Sequence, residues 1–120
     1  MKQFTQSDIY HITNSESPIL LSIEIGYGQI AVTNILVNGQ RIGNDLENSI
    51  EELEVGKNAD LQYKELVCNT IVYDIQPDTN YTSYDFKLKG GARVMRFPKL
   101  KYKVQNDGDV VFYTTKILFL

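Results

Sequence analysis

Residues 84–104 read YDFKLKGGARVMRFPKLKYKV, and the fold follows from how this stretch is read. Tyr84, Phe86 and Leu88 alternate with Asp85, Lys87 and Lys89, the period of a half-buried β-strand. Gly90-Gly91 then offers a two-residue hairpin turn, because glycine takes positive φ without steric cost. That turn pairs Lys89 with Ala92, Lys87 with Val94, Asp85 with Arg96 and Tyr84 with Phe97. Tyr84, Phe86, Leu88, Met95 and Phe97 then share one face, which must be the buried one. Beyond Pro98 the apolar positions become Leu100, Tyr102 and Val104, so the parity changes. A β-bulge or bend at Pro98-Lys99 accounts for this, since one extra residue reverses the facing of everything after it and proline is tolerated where the ladder is interrupted. Lys99, Lys101 and Lys103 then line the outer face together.

The same period-two pattern extends through the rest of the chain, with turn residues between runs and no convincing long helix. Phe4 to Ile12 is weakly patterned and closes at Asn14-Ser15-Glu16-Ser17-Pro18. Ile19 to Ile25 places Leu21, Ile23 and Ile25 on one face, and Gly26-Tyr27-Gly28 breaks it. Gln29 to Val37 is apolar on both faces, as a central strand would be, and Asn38-Gly39 is a type I′ turn signal leading to a short return strand, Gln40 to Ile42. Leu61 to Ile75 reads as an interior strand, rich in β-branched and aromatic residues. Asn106-Asp107-Gly108-Asp109 turns the chain into a last strand, Val110 to Leu120, whose apolar end calls for cover by the fold or by a neighbour. Asn44 to Val55 is ambiguous. Leu46, Ile50 and Leu53 fit one side of a helix, while Leu53 and Val55 alternate, so an irregular segment or single helical turn entering a strand is expected. Together these runs specify an all-β fold, a mostly antiparallel β-sandwich (jelly-roll or Ig-like) of about seven to nine strands, forming a single domain over residues 1–120.

Charge is sorted along this framework. Lys87, Lys89, Arg93, Arg96, Lys99, Lys101 and Lys103 form a basic run with no acid between Lys87 and Val104, while Asp45, Glu47, Glu51, Glu52 and Glu54 form an acidic run without a base. The net charge of −3 conceals halves of −6 and +3. Such segregation belongs to surfaces that meet partners, and the two blocks are the candidate interaction patches. They also allow a simpler arrangement in which they neutralise one another within the monomer.

Catalytic chemistry has little to draw on. His11 is the only histidine and Cys68 the only cysteine, so a histidine-based metal cluster, a structural zinc site and an intramolecular disulfide are excluded. A Cys68–His11 dyad is conceivable, but Cys68 sits in an apolar run where cysteine behaves as a small hydrophobe, and His11 reads as a strand-face residue. Gly26-x-Gly28 and Gly90-Gly91 precede no helix and lack phosphate-loop spacing. Asp74, Asp78, Asn80, Asp85, Asp107 and Asp109 have turn chemistry as their simplest explanation, with a loop-end calcium site as the alternative. Asn80-Tyr81-Thr82 matches a glycosylation sequon. Basic residues near aromatic rings resemble a single-strand nucleic-acid platform, yet the register buries those rings and the pI of about 5.1 is acidic. No apolar run approaches the ~20 residues of a membrane span, and Met1–Gln6 lacks a secretory apolar segment, which makes the cytoplasm the expected compartment.

The expected function is therefore a non-catalytic protein-interaction or assembly module, self-associating through its acidic and basic surfaces. No cofactor or metal, and neither nucleic acid nor membrane, is expected among its partners. The alternative is a small-ligand, carbohydrate or calcium-binding sandwich with its site in the loops around Tyr27, Asp78, Tyr81 and Asp107.

Overall fold

The structure is a computed structural model describing residues 2–120. Ten strands and one helical turn follow one another as β1 (Lys2–Tyr10), β2 (Pro18–Ile25), β3 (Ile30–Val37), β4 (Gln40–Glu47), β5 (Ile50–Lys57), α1 (Asn58–Leu61), β6 (Glu65–Tyr73), β7 (Tyr81–Lys89), β8 (Met95–Arg96), β9 (Leu100–Lys103) and β10 (Val110–Phe119). They form two sheets. One has the order β1-β10-β6-β3-β4, and the other β5-β2-β7-β8 with β9 also paired to β7. Every pairing is antiparallel except that of β1 with β10. The alternating residues of both sheets meet in one core, which includes Ile19, Leu21, Ile23, Ile35, Leu66, Val72, Tyr84, Phe86, Leu88 and Ile117.

The core is mostly apolar but contains a satisfied polar seam. Tyr84 and Tyr113 stack with ring centroids 4.9 Å apart, and their hydroxyls reach Thr115 and Thr82 at 2.9 and 3.0 Å. Thr33 and Thr70 bond to each other at 2.8 Å. Tyrosine and threonine can occupy these positions because each buried hydroxyl has a partner, avoiding the desolvation cost of an orphaned polar atom.

The decisive stretch keeps its expected facing but changes its register. The observed pairs are Lys87 with Arg96 and Leu88 with Met95, so Gly90-Gly91 is not a two-residue hairpin turn and the connection is longer. The slip is two residues, which preserves parity, so Tyr84, Phe86, Leu88 and Met95 are buried and Phe97 packs against them. The reason lies outside the local sequence. A Cβ at Gly90 would stand 2.2 Å from the Pro18 carbonyl oxygen, and one at Gly91 would stand 2.6 Å from the Tyr10 ring. These glycines permit close approach rather than a tight turn. The parity change after Pro98 occurs as a one-residue insertion, because three steps on β7 from Lys87 to Tyr84 face four from Arg96 to Leu100.

Asn38 and Gly39 take positive φ (51° and 80°) and make the β3–β4 hairpin. The return strand is longer than Gln40 to Ile42 and reaches Glu47. Residues 44–55 contain no helical turn. They comprise the end of β4, a corner at Asn48-Ser49 and most of β5, where the chain passes from one sheet to the other. The corner is held by long-range bonds. Asn48 N–H donates to the Ala31 carbonyl at 2.8 Å, Ala31 N–H donates to Asn48 Oδ1 at 3.2 Å, and Ile25 N–H donates to Ser49 Oγ at 3.0 Å. His11 lies just beyond β1 and is exposed, not on a strand face. β10 is interior, flanked by β1 and β6, which covers its apolar end.

Candidate functional site

The acidic block occupies the two edge strands on one side of the sandwich. Asp45 and Glu47 lie on β4, and Glu51, Glu52 and Glu54 on β5. Asp45 and Glu52 adopt left-handed backbone (φ 50° each) where the two ladders shift register. Their freed N–H groups are captured by the neighbouring inner strands, at Asn34 Oδ1 and Ser22 Oγ, both at 3.0 Å. Each edge is therefore bulged, with a carboxylate residue at the bulge.

The basic block spreads over the other half of the second sheet. Lys87 and Lys89 lie on β7, Arg93 in the connection, Arg96 on β8, Lys99 just before β9, and Lys101 and Lys103 on β9. Only β2 separates β5 from β7, so the two blocks approach each other across one sheet. Lys89 pairs with Glu52, and this hydrogen bond holds the Glu52 carboxyl below the usual range. Arg96 grips Asp85 with both ends of its guanidinium, at 3.1 and 2.6 Å. Asp85 is only 6% exposed, so this bidentate contact compensates a carboxylate largely removed from water. The sequence reading set Asp85 directly opposite Arg96; the observed register makes the contact diagonal, with Lys87 opposite. Lys87, Arg96, Glu24, Glu51, Glu52 and Asp85 surround a cleft of about 370 Å³.

The remaining lysines are displayed differently. The Lys101 ammonium stands 4.5 Å from the Tyr81 ring centroid and 5.5 Å from that of Tyr27, and Lys103 stands 5.7 Å from Tyr81. The Tyr27 hydroxyl beside it raises the Lys101 pKa above the ordinary lysine value. Tyr27 and Tyr81 are 41% and 38% exposed, with centroids 5.6 Å apart. Lys99 is exposed. Two internal pairs thus engage Lys89 with Glu52 and Arg96 with Asp85, while Asp45, Glu47, Glu51 and Glu54 on one side and Lys99, Lys101 and Lys103 on the other face solvent with no ion pair within 4.0 Å among the described residues.

The loop end named for a small ligand is also assembled. Asp78, Asn80, Tyr81, Lys103 and Asp107 line one cleft of about 290 Å³. Its acids are partly occupied from within. Asp74 accepts from Gln29 Nε2 at 2.6 Å, and the Asn80 amide, oriented to donate, bridges Asp107 and Asp74 at 2.7 and 3.0 Å. Among the described residues no three His, Cys, Asp or Glu side chains form a metal-binding group. Gln29 is the organiser that sequence reasoning missed. Its Oε1 accepts from Ile75 and Gln76 N–H at 2.8 and 3.0 Å, and its Nε2 also donates to the Tyr81 carbonyl at 3.0 Å. A polar residue at the start of a two-faced apolar run was the signal.

Cys68 is fully buried and inward-facing, and burial pushes its thiol pKa up, so its side chain is a protonated core group rather than a partner for exposed His11. A second missed feature lies on the outer face of the first sheet, where Val110–Tyr73–Ile30 and Phe112–Ile71–Val32 form adjacent apolar rows. The both-face apolar pattern of β3 and β10 signalled it. No helix among the described residues is long and apolar enough to cross a membrane.

These features define a two-sheet, mostly antiparallel β-sandwich with oppositely charged surface blocks and a polar loop-end cleft. No protein-family model, curated protein or solved structure matches the chain.

Proposed function

We propose that this protein is a non-catalytic interaction or assembly module in which the acidic β4–β5 side of one molecule meets the basic β9 side of another. The observation behind this reading is that charge stays segregated after the internal pairs are subtracted. Asp45, Glu47, Glu51 and Glu54 remain at one side of the sandwich and Lys99, Lys101 and Lys103 near the opposite edge of the second sheet. Contact between two different surfaces is heterologous and builds open chains unless a rotation closes a ring. Exposed pairs contribute only about 0.2–1 kcal/mol each, so the association is weak, additive over several pairs and sensitive to salt. Light scattering over a range of protein and salt concentrations tests this. The expected result is a molar mass that rises with protein concentration at low salt and falls with added salt. Replacing Lys99, Lys101 and Lys103 with Glu should abolish the rise. An unchanged mass in that variant overturns the reading.

A second reading rests on the Tyr27–Tyr81 pair beside the Asp78–Asp107 cleft, which supports a small-ligand or carbohydrate site. Exposed rings offer stacking surfaces and the cleft offers polar groups for hydroxyls. Titration with a panel of soluble saccharides, monitored by chemical shifts, tests it, and loss of any response in Tyr27→Ala would support it. The absence of shifts at Tyr27 and Tyr81 across the panel would remove the carbohydrate form.

A further inference from the structure

The four sheet edges are not equivalent. β4 and β5 carry register shifts and left-handed residues, and the β8–β9 edge consists of two-residue and four-residue strands separated around Pro98. Bulges, proline and short length all discourage pairing with another chain. β1 has none of these protections. It runs for nine residues in unbroken register along β10, and no strand among the described residues pairs with its other side.

The direction of its backbone groups can be read from two bonds. Leu120 N–H donates to the Tyr10 carbonyl at 3.1 Å, so Tyr10 points toward β10. Ile9 N–H is taken instead by Asp8 Oδ1 at 2.7 Å, so Ile9 points the other way. By the alternation of a strand, Gln3, Thr5 and Ser7 also direct their N–H and C=O groups to the free edge.

We infer that β1 pairs antiparallel with β1 of a second copy about a two-fold axis at Thr5, joining two five-stranded sheets into one. In this register Thr5 faces Thr5, and Gln3 faces Ser7 twice by symmetry. All of these are outward-pointing residues, so the contact forms about six backbone hydrogen bonds. Phe4 faces Gln6, and Lys2 of each copy faces Asp8 of the other. These are non-hydrogen-bonded positions, where facing side chains come closest. A shift of the register by one two-residue step in either direction breaks the Lys2–Asp8 match. The occupant is therefore a second copy, selected by charge complementarity within a single strand. The contact goes beyond the paired-patch reading, uses a different surface, and is isologous, so it closes at two molecules.

The test is molar mass by sedimentation equilibrium at low and high salt for the full chain and three variants. At high salt, which screens the contact between the charged patches, the wild type should reach twice the 13.7 kDa chain mass and stop there. Thr5→Pro removes an outward donor without removing a bond to β10, and should weaken dimerisation about tenfold through its symmetric bonds. Lys2→Asp should weaken it too, and Lys2→Asp combined with Asp8→Lys should restore it, a rescue that a role in monomer folding would not give. If Thr5→Pro does not fold, the charge exchange decides alone. A monomer at every concentration, or a dimer indifferent to the charge exchange, overturns the inference. An open, salt-sensitive assembly unaffected by Lys2→Asp overturns it while leaving the paired-patch reading intact; a closed, salt-tolerant dimer lost in Lys2→Asp supports it and removes that reading.

Discussion

Replacing Gln29 with Ala should destabilise the protein by about 3 kcal/mol. The side chain is 5% exposed and ties the β6–β7 connection to the start of β3. Its removal orphans Ile75 and Gln76 N–H, the Tyr81 carbonyl and one oxygen of buried Asp74. A neutral hydrogen bond contributes about 1 kcal/mol net and one to a charged group about 1.5–3. Their gross sum exceeds the expected loss because water entering the space left by the side chain satisfies some of these groups. Against a typical total stability of about 5–15 kcal/mol this is a large fraction, and it should lower the melting temperature by roughly 10 °C. Urea titration followed by far-UV circular dichroism measures it as a lower midpoint at constant slope. Gln29→Glu refines the argument. Its introduced carboxyl keeps the acceptor to Ile75 and Gln76 but can hold the bond to Asp74 only while protonated. The folded-state pKa of that carboxyl is thereby raised above its unfolded value. Stability relative to wild type is fully retained below the unfolded value and is lost as pH rises through the folded one. A Gln29→Ala midpoint within about 0.5 kcal/mol of wild type, the range of an ordinary surface change, would refute this account of the loop end.

Other sites give independent checks. Gly91→Ala should cost about 2 kcal/mol in thermal melts, because its Cβ would meet the Tyr10 ring at 2.6 Å and the His11 carbonyl at 2.8 Å. Gly108→Ala, with nothing within 4 Å but φ +84°, should cost only the backbone strain, about 1 kcal/mol. The Cys68 thiol should resist a maleimide in the native protein and react at the rate of structural opening, since burial keeps it protonated and inaccessible; immediate labelling would contradict its placement. Glu52 should titrate below the ordinary range by carboxyl NMR, and Lys89→Met should move that midpoint upward. The stability from this pair is present above the unfolded carboxyl pKa and is lost as pH falls through the lowered folded value.

The facing of residues was legible because strand alternation depends on neighbours in sequence, and it survives a two-residue error in pairing. That is why Tyr84, Phe86, Leu88, Met95 and Phe97 were placed correctly while Gly90-Gly91 was misread. The parity change at Pro98 and the Asn38-Gly39 turn were legible for the same local reason. Residues 44–55 were not, because their shape is imposed from a distance. Asp45 and Glu52 hold left-handed backbone without being glycine, and the side chains that capture their N–H groups belong to other strands. The candidate site shows the same division. Both charge blocks were visible, but their meeting at Lys89–Glu52 depends on β2 inserting between β5 and β7, and strand order has no local signature.

The edges also determine what kind of contact each side can make. At β4 and β5 the ladder groups are disordered in register by bulges and partly bonded back to Asn34 and Ser22, so a partner there finds side-chain charges rather than a continuous backbone template. A contact on that side must be ionic and must weaken as salt shortens the Debye length from about 10 Å at 0.1 M to about 3 Å at 1 M. At β1 the template is continuous and the charges are only the Lys2–Asp8 pairs at its ends, so most of the contact is backbone hydrogen bonding and persists in salt. Edge protection and edge recognition are then two uses of the same geometry, and the response of assembly to salt identifies which side of the sandwich is engaged.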